Sequence, residues 1–115
     1  DDVIGINAWP MELHTAGQIQ WQFPRNWESS DGRVFNDLPW RMLVPAEVDN
    51  LLVAGRCASM THEGQSAARV SGGCFVMGQA AGTAAGMLST SQTFADVNVK
   101  DLQQTLKRDG VYLDN

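Results

Sequence analysis

Residues 50–88, "NLLVAGRCASMTHEGQSAARVSGGCFVMGQAAGTAAGML", hold the two elements on which the reading of this chain turns. Leu51-Leu52-Val53-Ala54 is an unbroken apolar run, the pattern of a strand buried on both faces, as in a parallel sheet. It ends at Gly55-Arg56, where glycine lets a backbone N–H approach a ligand with no Cβ in the way. Residues 56–71 are polar and read as irregular. A helix then starts at Gly72 or Gly73 and runs to Leu88. Gly78, Gly82 and Gly86 are spaced by four, and Ala81 and Ala85 form a parallel row, so one helix face carries the small residues. Each glycine inside a helix costs up to about 1 kcal/mol relative to alanine. Two explanations stand: another backbone or a flat ligand lies against that face, or the helix packs closely on a sheet. In open α/β sheets ligands lie beyond the carboxyl ends of strands. The helix start at Gly72-Gly73 adds unpaired N–H groups and partial positive charge. A strand end and a helix start together can hold something electron-rich.

Working outward, residues 1–23 alternate, and Ile19-Gln20-Trp21-Gln22-Phe23 is a strict period-two strand. Residues 24–33 are rich in Pro, Asn, Ser, Asp and Gly and read as a loop. Val34 to Val44 is a short extended segment, which Pro39 demotes to an edge strand or a loop. Val48-Asp49-Asn50 is a turn. Downstream, Val99 to Arg108 is a helix with Val99, Leu102 and Leu106 on one face, stopped by Asp109-Gly110. Val111-Tyr112-Leu113 is a terminal extended piece. The fold class is α/β, or α+β for the chain taken alone.

The totals exclude several functions. A length of 115 residues allows one small domain. Net charge is −5, and Lys and Arg form no cluster, so neither nucleic acid nor an anionic membrane is an expected partner. Residues 72–88 carry no charge, but ten of these seventeen are Gly, Ala or Thr. A span needs roughly 20 strongly apolar residues, so this helix belongs in protein rather than lipid. Cys57 and Cys74 read as two reduced thiols of a cytoplasmic protein. No metal site is expected, because His14, His62 and the cysteines lack ligand spacing. The chain opens at Asp1-Asp2-Val3 without Met, which suggests a piece of a longer polypeptide.

Several stretches together resemble a known family. They are Asn50-Leu51-Leu52-Val53-Ala54-Gly55-Arg56, Thr61-His62-Glu63, Ala68-Arg69-Val70 and Gly78-Gln79-Ala80-Ala81-Gly82-Thr83-Ala84-Ala85. Leu38-Pro39-Trp40-Arg41-Met42-Leu43-Val44-Pro45, Val99 to Leu106 and Trp9-Pro10-Met11-Glu12-Leu13-His14 add to them. The combination is similar to the C-terminal part of the FAD-dependent oxidoreductase family found in many bacteria, and it covers nearly the whole chain. The resemblance implies a strand-loop-helix of a Rossmann-like FAD domain over residues 49–115, with a terminal helix. It implies a cap or substrate-side region of short strands over residues 1–48. It implies that Gly55 and Arg56 lie near the pyrophosphate or ribityl chain of FAD. The helix start at Gly72, Gly73 and Cys74 would face the pyrimidine edge of the flavin, and Gly78, Gln79 and Gly82 would continue the cofactor-binding face. The family's first FAD element, G-x-G-x-x-G, is missing here, which assigns the adenine half to an N-terminal remainder of the same polypeptide.

Candidate chemistry follows. His62 is either a general acid/base or substrate ligand near the flavin, or a brace of its loop. Arg69 either fixes a substrate carboxylate or flavin carbonyl, or pairs with Glu63 or another acid of the loop. His14 and the two cysteines are assigned structural roles. The reading is a flavoprotein oxidoreductase that transfers hydride to or from a small organic substrate. The rival is a non-catalytic interaction module whose Gly/Ala helix face packs on a partner chain.

Overall fold

The computed structural model describes residues 1–23 and 35–113. The loop expected over residues 24–33 lies outside the described residues. Among these residues four strands and three α-helices follow in order: β1 Val3–Asn7, β2 Met11–Thr15, β3 Gln18–Gln22, β4 Asn36–Pro39, α1 His62–Ala68, α2 Ser71–Met87 and α3 Val99–Arg108. The fold is α+β, with two separate two-stranded antiparallel sheets.

β1 pairs with β4, with Ile6 opposite Asp37 and Asn7 opposite Asn36, and the register shifts between Val3 and Gly5. β2 and β3 form a hairpin in full register from Met11 opposite Gln22 to Thr15 opposite Gln18. Its two-residue loop, Ala16-Gly17, has φ of 50° and 78°. Positive φ at both central residues is what the right-handed twist of a tight hairpin requires. The alternation of residues 1–23 therefore resolves into three strands.

The core lies where β1 rests on α2 and α3 closes the other side. Ile4, Leu43, Met77, Leu102 and Leu106 have no solvent exposure, and Leu38 and Trp40 surround them. Asn98 caps α3, its side-chain oxygen accepting from the backbone N–H of Lys100 and of Asp101. Leu102 and Leu106, four apart, are the buried row of that helix. Gly110, at φ +88°, ends it. The Gln103 side chain donates to the carbonyl of Val3 at 2.8 Å, tying α3 to β1.

Four expectations change. Residues 56–71 are not irregular throughout: α1 occupies their centre, with Thr61 as N-cap accepting from the Gly64 N–H at 3.1 Å. Leu51-Leu52-Val53-Ala54 joins no described ladder; the Val53 N–H donates to the carbonyl of Leu43, and the run lies beside the 3-10 turn Trp40–Leu43 rather than between strands. That turn replaces the C-terminal half of the extended segment expected over Val34–Val44, of which β4 is the strand. The piece Val111–Leu113 pairs with no described strand.

Among the described residues no protein atom approaches the Gly78/Gly82/Gly86 row; close approach between protein elements falls at other glycines. A Cβ at any of the three would meet no atom within 4 Å. The buried row of α2 is Gly73, Met77, Ala80 and Ala84. A Cβ at Gly73 would lie 2.8 Å from the carbonyl oxygen of Ala68, and one at Gly5 on β1 would overlap the Val76 side chain. These two glycines let strand, α1 and α2 close on one another.

Candidate functional site

Two groups of side chains emerge, and Gln65 of α1 touches both. The first surrounds the start of α2. Gly55 is buried at φ +67° and opens the 3-10 turn Gly55–Cys57. A Cβ at Gly55 would sit 3.3 Å from Cys74 Sγ, so the turn rests against the first turn of α2. Cys74 Sγ in turn donates to the carbonyl of Arg69 at 3.6 Å. The carbonyl of Arg56 accepts from the Gln65 side-chain amide at 3.2 Å, which ties the turn to α1. Cys57 and Cys74 are both free thiols. Gly55, Arg56, Gly73 and Cys74 are thus brought to one corner. Gly78, Gln79 and Gly82 are exposed farther along α2.

The start of α2 suits an electron-rich partner. Its N-cap, Val70, makes no side-chain capping bond, and its first turn holds no acid. The leading N–H groups of a helix need partners from outside it. Ser71 and Gly72 are exposed, with open space where a Gly72 Cβ would be.

The second group lies between β2 and α1, in a depression of about 250 Å³ bounded by Glu12, His14, His62, Gln65, Ser66 and Arg69. Arg69 Nη2 lies 3.5 Å from His14 Nε2 and 3.9 Å from Glu12 Oε2. Glu12 Oε1 lies 3.6 Å from His14 Nε2. The acid beside Arg69 is therefore Glu12, on a strand, rather than Glu63. Glu63 faces the helix cap: bonds from its own backbone N–H and from the Thr61 side chain hold its carboxyl below the usual carboxylate range. His62, the first residue of α1, is exposed at the rim.

On the opposite side of α1 a cavity of about 280 Å³ is lined mostly by apolar groups, including Met11, Leu38, Met42, Met60 and Ala67. Asn7, 3% exposed, stands in its wall and donates to the carbonyl of Ala67 at 3.1 Å. Among the described residues no three His, Cys, Asp or Glu side chains are placed to hold a metal ion, and no helix is long and apolar enough to cross a membrane.

Glu12 and His14 are the site residues that sequence reasoning missed. Two residues apart on a strand, they share a face, and His62, Ser66 and Arg69 share one on α1 through i+4 and i+7 spacing. The signal was present in each element; the packing of β2 on α1 was not visible.

The chain matches the FAD dependent oxidoreductase family over residues 1–106. It belongs to that family, whose members are flavoprotein oxidoreductases. No curated protein and no solved structure matches it.

Proposed function

We propose that this chain is the flavin-facing part of an FAD-dependent enzyme that transfers hydride between the cofactor and a small organic substrate. The family match across residues 1–106 carries the reading. The uncapped first turn of α2, with Gly55, Arg56, Gly73 and Cys74 beside it, supports it. The N–H groups and partial charge of that helix start would stabilise negative charge on the pyrimidine edge of the flavin. When bound, the flavin supplies a two-electron acceptor or donor for hydride. His62 takes the proton of an O–H adjacent to the reacting C–H, or returns it in the reverse direction. Arg69 orients the substrate with its planar fork. The adenosine half of FAD is held by a G-x-G-x-x-G element elsewhere in the same polypeptide, and the free thiols suit the cytoplasm.

The test is the visible absorption spectrum of the purified full-length protein. Flavin bands at one equivalent per chain are expected, bleached anaerobically by a reducing substrate. A protein that stays colourless after reconstitution with FAD would remove the reading.

A further inference from the structure

The depression between β2 and α1 is the strongest chemical feature outside the corner at the start of α2. Its donors can be counted. The Ser66 hydroxyl is committed to the carbonyl of Glu63 at 2.6 Å, and the Gln65 amide to that of Arg56. Arg69, whose side chain is 41% exposed, is held by Glu12 at 3.9 Å and by His14 Nε2 at 3.5 Å from Nη2, which leaves most of its N–H groups open. A guanidinium has five N–H donors in a fork that matches a carboxylate. His14, 59% exposed, and His62 stand at the same opening. The charged and titratable groups around it are Glu12 and His14 from β2, His62, Glu63 and Arg69 from α1 and its cap, and Arg56 beneath Gln65. β3, which pairs with β2, contributes none.

We propose that this depression binds a small organic carboxylate, held bidentately by Arg69 with His62 donating to it and His14, which accepts from Arg69, beside it. This rests on the function proposed above in one respect only, that the bound carboxylate is the substrate. Glu12, 3.6 Å from His14 and 3.9 Å from Arg69, weakens anion binding by repulsion. The carboxylates of Glu12 and Glu63 near the opening favour a monocarboxylate over a doubly charged anion.

The probe is glycolate, with ethylene glycol as its uncharged analogue, titrated into the full-length protein while the imidazole proton resonances are followed by NMR. Glycolate is expected to shift both His14 and His62 and to outbind ethylene glycol. Arg69→Lys should weaken binding roughly tenfold or more, as expected for lost hydrogen bonds to a charged group. Glu12→Gln should tighten it, a gain that damage to the fold would not produce. Equal binding of the two probes, or no change in either variant, would overturn the proposal. Binding with these signatures but no flavin reduction by any 2-hydroxy carboxylate would leave the site standing and remove its substrate role. Flavin reduction by uncharged alcohols alone would leave the flavoenzyme reading standing and remove the carboxylate as its substrate.

Discussion

Gly73 and Gly82 sit nine residues apart in one helix and differ in every respect except side chain. Gly73 is buried against the carbonyl of Ala68 and against Asn7, whose oxygen a Cβ would approach to 3.2 Å. Backbone cannot swing aside as a side chain can. Gly73→Ala is therefore expected to destabilise the protein by about 1–3 kcal/mol, the usual range for an overpacked contact. At Gly82 the added methyl enters open space. Gly82→Ala should stabilise by about 0.5–1 kcal/mol, because it restricts the unfolded chain and favours the helix. Urea unfolding of both variants measures the contrast. A loss at Gly82 as large as that at Gly73 would mean that another surface covers the exposed row of α2. The four-residue spacing of Gly78, Gly82 and Gly86 was visible in the sequence; which glycine meets a neighbour was not, because that depends on partners distant in the chain.

Among the elements, legibility followed how local the cause is. α3 carries its own cap at Asn98, its own buried pair Leu102 and Leu106, and its own stop at Gly110, and its bounds are those expected. α1 was missed because its seven residues include Gly64 and only small buried side chains, Ser66, Ala67 and Ala68, so no apolar stripe marks it. The run Leu51–Ala54 misled in the opposite sense: apolar continuity reports burial, not hydrogen bonding to neighbours. Of the candidate site, the α2 start was legible in Gly55 and Gly72-Gly73, while the β2 wall of the depression required the fold. The β2–β3 hairpin supplies its own test. Ala16 holds φ of 50°, a region that costs a residue with a Cβ about 1–2 kcal/mol and that asparagine tolerates better. Ala16→Asn creates the favoured Asn-Gly loop with Gly17 and is expected to raise stability by several tenths of a kcal/mol or more. Thermal melting of the variant decides; a lowered midpoint would refute the turn geometry.

Across the whole molecule the core joins the two ends of the sequence. Leu106 on α3 and Ile4 on β1 are fully buried in one cluster, and the Gln103 side chain bonds to the carbonyls of Val3 and Asp1. Leu106→Ala should cost about 2–5 kcal/mol, the range for truncating a buried leucine, and should be felt at β1 as well as α3. Hydrogen exchange of the β1 amides, compared with that of the β2–β3 hairpin, measures this: protection should fall in the first and persist longer in the second. Equal loss in both would mean that the two sheets unfold as one unit. The same joining of ends imposes an order in time. During synthesis, the strand around Ile4 leaves the ribosome about 100 residues before the helix that covers it, a wait of roughly 5–20 s at common elongation rates. β4 and then α2 are made within that interval and cover part of β1, but the face that α3 closes stays open until Leu106 has been added, so the nascent chain carries an apolar face that the finished fold hides.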